Sequence, residues 1–197
     1  MRTLILCALA LLPAGARAAV ADWRTLATAD DRARLRSWRS DWTAALAQAR
    51  AAGKGGEIAA EGLLLQPDAG RGGPPPPPGE YRCRTTKLGA KPGGLTEFAA
   101  YPPFACRIAL EGDLMSFARL NGPQRPVGFL FPNRDGRLVF LGTMMLGDEG
   151  RAQQYGRDAQ RDMIGALERI GPQRWRLVLP QPRWESMLDV IELVPAS

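Results

Sequence analysis

The sequence contains no histidine. Ser-His-Asp and Cys-His catalysis, histidine-ligated zinc or haem, and an imidazole pH switch are therefore outside its reach. Cysteine is scarce, with three in 197 residues, and lysine occurs only at Lys54, Lys87 and Lys91 although the net charge is +6. The basic charge is thus nearly all arginine. Such a bias suits bidentate recognition of carboxylate or phosphate, but a GC-rich genome produces it without any function. Gly53-Lys54-Gly55-Gly56 has neither the spacing nor the Ser or Thr of a phosphate-binding loop. No apolar run reaches the roughly 20 residues that span a bilayer. The reading is of a chain without metal, cofactor, nucleic-acid partner or transmembrane segment.

The longest apolar run opens the chain and has the form of a signal peptide. Arg2 is the positive n-region, Leu4 to Leu12 the apolar core, Pro13 a break, and Ala16-Arg17-Ala18 a small-x-small cleavage site. Cleavage near Ala18 places the remainder in the periplasm or outside the cell. Cys7 leaves with the leader, and no small residue precedes it as a lipid-modified cysteine requires. Cys83 and Cys106 remain, in a setting where disulfides persist. Their single possible pairing closes a loop of some 20 residues and stabilises the fold by about 3 kcal/mol.

Composition divides the chain into a signal peptide (1–18), a helical N-terminal segment (19–66), a Pro/Gly-rich linker (67–79) and a domain of short strands (80–197). Leu35, Trp38, Trp42, Ala45, Leu46 and Ala49 form one apolar helical stripe. Thr28 is placed to cap that helix, Asp30 and Asp31 lie in its first turn, and Gly53 ends it. Trp38 and Trp42, aligned with Leu35 and Leu46, read as packing residues in preference to an aromatic ligand platform. A shorter helix is expected from Glu57 to Leu65. Pro74 to Pro78 reads as a stiff polyproline II spacer.

After the prolines, short apolar or alternating runs bounded by Gly, Pro, Asn and Asp indicate antiparallel strands. They fall near Tyr81–Lys87, Phe104–Glu111, Leu114–Leu120, Val127–Phe131, Leu138–Leu146, Trp175–Leu179 and Leu188–Val194. Met163, Ile164, Leu167 and Ile170 predict a helix over Asp158–Ile170, stopped by Gly171-Pro172. The fold class is therefore α+β: N-terminal helices, then a small antiparallel barrel of seven or eight strands with one helix inserted before the last two.

Polar residues concentrate at Asp148-Glu149, Tyr155, Arg157-Asp158 and Arg161-Asp162. The cluster reads either as an arginine-rich mouth for an anionic ligand or, preferred, as an ion-paired network that docks an element onto the barrel. Its candidate ligand residues are Tyr155, Arg157, Asp158 and Arg161, joined by Trp184 and Glu185 after Pro180-Gln181-Pro182. For carboxylate-dependent glycoside hydrolysis, which needs two carboxyl groups about 5 to 9.5 Å apart, the candidates are Glu149, Asp158, Glu185 and Asp189. No residue is assigned a catalytic role.

Several stretches together resemble a known bacterial family. They include Glu80-Tyr81-Arg82-Cys83, Tyr101-Pro102-Pro103-Phe104-Ala105-Cys106, Phe140-Leu141-Gly142-Thr143, Tyr155-Gly156-Arg157-Asp158, Arg174-Trp175-Arg176-Leu177 and Met187-Leu188-Asp189-Val190, with Asp22-Trp23-Arg24 and the Leu35, Trp38, Trp42 helix before them. The chain is similar to domain of unknown function 4893, which implies an exported protein and carries no site over. The order of elements is also similar to lipocalin-like barrels, a group that includes periplasmic protease inhibitors. Together these readings favour a non-enzymatic binding or interaction module for a small apolar or anionic ligand or an envelope protein. The alternatives are a carboxylate-dependent hydrolase of envelope polysaccharide and a structural envelope protein.

Overall fold

A computed structural model describes residues 21–94 and 96–196. The predicted signal peptide and Cys7 lie outside the described residues. The chain begins with α1 (Trp23–Leu26), α2 (Ala29–Ala51) and α3 (Gly55–Ala60), followed by single 3-10 turns at Gly62–Leu64 and Pro67–Ala69. The Thr28 side chain accepts from the Asp31 amide, 3.1 Å away, and caps α2 as its sequence position implies.

Nine strands follow: β1 (Gly79–Ala90), β2 (Phe98–Ala100), β3 (Phe104–Glu111), β4 (Leu114–Arg119), β5 (Gln124–Pro132), β6 (Leu138–Leu146), β7 (Asp162–Gly171), β8 (Arg174–Pro180) and β9 (Ser186–Pro195). β1 and β3 to β9 run up and down, each antiparallel to the next. Pairing of β1 with β9, from Tyr81 opposite Pro195 to Ala90 opposite Ser186, closes them into an eight-stranded barrel. Such a barrel fits the lipocalin-like expectation loosely. Closure removes the sheet edges that would otherwise invite pairing with another chain. β2 is the extra strand. It lies on the edge of β1 that β3 has left, with Thr86 opposite Ala100.

The helix expected over Asp158–Ile170 is not present; most of that stretch is β7. Met163 and Leu167 face the barrel interior, while Ile164 and Ile170 belong to outer clusters shared with the N-terminal helices. A strand buried on both faces carries apolar residues at both parities, so its two-residue period disappears and a helical spacing remains. Gly171-Pro172, read as a helix stop, lies in the hairpin between β7 and β8.

Inside the barrel, Phe117, Phe140, Trp175, Leu177 and Leu193 pack into one core with the Cys83–Cys106 disulfide. Outside it, Trp42, Ala45, Leu46 and Ala49 of α2 cover Leu88, Ile170, Val178, Leu188 and Val190. The expected packing role of Trp42 holds: its ring is fully buried. Close approach depends on Gly89, whose φ is +65° and whose Cβ, if present, would meet the Ala45 Cα at 3.1 Å.

The proline run behaves differently from a free spacer. Trp175 Nε1 donates to the Pro74 carbonyl (3.3 Å), the Tyr81 hydroxyl donates to that of Pro77 (2.6 Å), and Pro76 is buried. Arg71 also bridges to Arg169. Polyproline II leaves every carbonyl unpaired, so two aromatic donors can grip the run. It forms a strap at the barrel end where β1 and β8 begin and β7 finishes. The other end stays open.

Candidate functional site

The open end is a cup of about 240 Å³ lined by Thr85, Lys87, Tyr101, Arg119, Gln124, Met144, Met163, Leu179, Asp189 and Ile191, with Glu185 at its rim. Strand alternation puts the strand-borne side chains inside, while Tyr101 and Glu185 come from the loops after β2 and before β9. On β1 the residues Tyr81, Cys83, Thr85 and Lys87 share one face; on β4 Phe117 and Arg119 do; on β9 Asp189, Ile191 and Leu193 do. Met144, Met163, Leu179 and Ile191 form an apolar floor. Ionic groups stand above it.

Lys87 Nζ lies 2.6 Å from Glu185 Oε2 and 3.7 Å from Asp189 Oδ2. Burial alone would pull the lysine down, but the Asp189 and Glu185 carboxylates outweigh it and hold the ammonium above its ordinary range. Asp189 is enclosed, and burial pushes its carboxyl up against the opposing pull of Lys87. The Ser186 hydroxyl donates to Asp189 Oδ1. Arg119 stands apart from this group. Its guanidinium lies over the Phe104 ring, 4.0 Å from the centroid, and Nε donates to the Asn121 carbonyl at 2.7 Å.

The β8–β9 loop that carries Glu185 is held in an unusual backbone shape. Gln181 (φ +46°) and Glu185 (φ +66°) both occupy the left-handed region, which side chains other than glycine rarely adopt. Four contacts stabilise it. Arg34 donates to the Gln181 carbonyl, the Gln181 side-chain Nε2 to Asp41, Arg183 to Asp30, and Lys91 to the Pro182 carbonyl. Helix α2 thus helps to set the rim of the cup.

The polar residues singled out in the sequence divide between the cup and the helix interface. Tyr155 donates to Asp31 Oδ2 (2.5 Å) and accepts from the Thr28 amide (3.0 Å). Asp31 also pairs with Arg34, which donates to the Asp162 carbonyl. Asp162 Oδ1 accepts from the Gly156 amide. Burial raises the Asp162 carboxyl. This network docks the start of α2 onto the 155–162 loop. Arg161 pairs with Glu149 (2.6 Å) and Asp158 (3.4 Å), and Arg157 is exposed. Trp184 and Arg161 line a crevice beside the cup of only about 20 Å³, room for about one water. Of the expected ligand residues, Glu185 alone lines the cup itself. Of the four carboxylates considered for hydrolysis, Glu149 and Asp158 meet Arg161, while Glu185 and Asp189 meet Lys87.

Burial, reinforced by Asp31, pushes the Tyr155 hydroxyl up to about 12. A folded-state value above the unfolded one favours folding below the unfolded value, near 10, and that contribution is lost as pH rises towards 12. Tyr155→Phe is expected to cost about 1 to 2 kcal/mol at pH 7, because Asp31 and the Thr28 amide each lose a partner. The gap should narrow between pH 10 and 12. Urea midpoints across that range, with absorbance at 295 nm to follow the phenol, measure both effects; a pH-independent gap would refute the assignment.

Sequence reasoning missed Lys87, Arg119, Tyr101, Gln124 and Thr85. A usable signal was present on β1. If Cys83 bonds to Cys106 across neighbouring strands, both face one side, and period two puts Thr85 and Lys87 on that side as well. A lysine on the cysteine face of a barrel strand is anomalous enough to mark a site.

No helix among the described residues is long and apolar enough to cross a membrane. No curated protein and no solved structure matches the chain. The family model described as "Domain of unknown function (DUF4893)" matches residues 23–193, from the helix that abuts the barrel wall to the last strand of the closed barrel, and the chain belongs to that family.

Proposed function

We propose that the protein is an exported, non-enzymatic binding module that holds a small ligand in the cup at the open end of its barrel. The observation that carries this reading is the cavity of about 240 Å³ with an apolar floor and a polar rim, in a barrel whose opposite end is strapped by prolines. A concave, largely apolar site with a few convergent polar groups is the usual form of a small-molecule pocket. The hydrolase alternative is less well supported. Glu185 and Asp189 share one ammonium, and Lys87 Nζ takes up the position beside both carboxyl groups that a glycosidic oxygen or an attacking water would need.

The full chain, leader included, should be exported and cleaved after Ala18, and native mass spectrometry of the periplasmic product reads both that cleavage and any ligand retained. For a defined probe, hexan-1-ol at millimolar concentration should shift the amide resonances of Lys87, Met163 and Ile191. Thr85→Phe, which places a ring in the cup, should abolish those shifts while the amide spectrum stays dispersed. Absence of shifts in the wild type, or equal shifts in the folded variant, would overturn the proposal.

A further inference from the structure

We propose that the ligand of the cup carries a terminal oxyanion, a carboxylate or a phosphate, on a short apolar body, and that Arg119 is the group that receives it. The inference rests on the reading of the cup as a ligand site.

The two cations of the cup are not equivalent. Lys87 already meets two carboxylates, at 2.6 and 3.7 Å. Arg119 lines the cup from β4, and among the described residues it forms no ion pair with a carboxylate. Only Nε has a partner, the Asn121 carbonyl, which leaves both terminal nitrogens of the fork free to donate. Other partly buried arginines have their terminal nitrogens engaged: Arg84, Arg137, Arg161 and Arg174 meet Glu61, Glu168, Glu149 and Glu192, while Arg32, Arg125 and Arg169, which meet no carboxylate, donate to backbone carbonyls. Exposed arginines on the outer surface are served by water. A guanidinium half-withdrawn into a barrel, without a counter-ion, carries a desolvation cost that an incoming anion would offset. Burial accordingly draws its pKa down, although arginine stays charged throughout the accessible range.

The fork is also held in position. Its central carbon lies 4.0 Å from the centroid of the Phe104 ring, Nε is tied to the 120–123 turn, and that turn is shaped around it. Gly122 has φ +96°, and a Cβ there would come within 2.4 Å of Arg119 Nη2. Gln124 and Tyr101 add neutral donors to the lining, and Met144, Met163, Leu179 and Ile191 supply the surface for an apolar body. Methionine adapts to irregular shapes, so the floor tolerates variation in that body. A planar, two-donor fork is the arrangement best suited to a carboxylate or phosphate edge.

The test compares probes of one body and different heads on the full-length mature chain: hexanoate, hexyl phosphate, hexan-1-ol and hexylammonium, titrated by calorimetry or amide shifts. At least one anion should bind about tenfold or more tightly than the alcohol, as expected for a charge-assisted pair. The tighter of the two anions identifies the head. Arg119→Gln should remove that preference and leave alcohol binding unchanged, which also reports that the cup is intact. Arg119→Lys should keep part of it. If the alcohol binds as well as both anions, if the ammonium binds best, or if Arg119→Gln retains the preference, the oxyanion inference fails while the cup survives as a ligand site. If no probe binds, both readings fall. The wild-type comparison is decisive even if a variant does not fold.

Discussion

Replacing Arg176 by methionine is expected to destabilise the protein by about 3 to 5 kcal/mol, because it takes from Glu168 its one fully buried partner, leaving the partly exposed Arg137 and Arg39, and strands the backbone carbonyls that the guanidinium serves. Arg176 and Glu168 are both fully buried on the outer wall of the barrel, with Nη2 to Oε2 at 2.7 Å. The arginine does more than balance one charge. Nη1 donates to the carbonyls of Leu63, Leu64 and Gln66, and Nη2 to that of Pro67, at 2.7 to 3.0 Å. These belong to or flank the 3-10 turns that end the helical segment, where carbonyls have no partner of their own. Its guanidinium also lies 4.4 Å from the centroid of the Trp42 ring. Burial pulls the Arg176 pKa down, and Glu168 is the main opposing influence.

A double substitution separates these roles. Glu168→Met alone leaves Arg176 buried without its counter-ion and should cost a similar amount. Arg176→Met with Glu168→Met removes both fully buried charges and leaves Arg137 to Asp135, but still strands four carbonyls, so it should be less destabilising than the sum of the single changes without returning to wild type. Urea midpoints give the free energies. Limited proteolysis near residues 66–72 should show the seam opening in Arg176→Met before the barrel does. If the single variants cost less than about 1 kcal/mol, the pair is not what fastens the helices to the barrel.

Much of this arrangement is legible in the sequence, and the illegible parts have identifiable causes. β3 and β6 have the bounds expected from their sequence, and Thr28 caps α2 where expected. β3 buries one face, so period and pattern agree, whereas β6 is buried on both and is legible as a short apolar run bounded by Asp135-Gly136 and Gly147-Asp148. β7 reads as a helix because both its faces are buried and Met163, Ile164, Leu167 and Ile170 fall at helical spacing, and β2 leaves no trace because three residues of Phe-Ala-Ala hold no pattern. The proline run reads as a spacer from composition; its role as a strap comes from Trp175 and Tyr81, distant partners that local sequence does not reveal. The cup divides in the same way. Glu185 and Asp189 stand out as carboxylates near a strand start, whereas Arg119 is one arginine among many until barrel closure sets it facing inward.

Removing the disulfide by Cys83→Ala with Cys106→Ala is expected to cost about 3 kcal/mol from loop closure alone and to lower the melting temperature by on the order of 10 °C. The bridge joins residues 23 apart whose Cα atoms are 6.0 Å apart. Its position makes the effect local as well as global. Cys83 opposite Phe104 is the last matched pair of β1 with β3; beyond it β1 turns to β2, and the chain between Cys83 and Phe104 must return to the barrel. The bridge holds β3 at that departure point. Phe104, beside it, is the ring over which the Arg119 guanidinium lies, and Cys106 is registered opposite Arg119. Loss of the bridge should therefore loosen the seam at the cup first. Hydrogen exchange in the double variant should accelerate at residues 104–106 and 119 more than at β7 and β8 on the helix-covered wall. Oxyanion binding should weaken at temperatures where the barrel is still folded. Uniform acceleration across all strands would show instead that the disulfide acts only through the unfolded chain. The local outcome would tie an oxidising compartment, which keeps the bridge closed, to the competence of the cup.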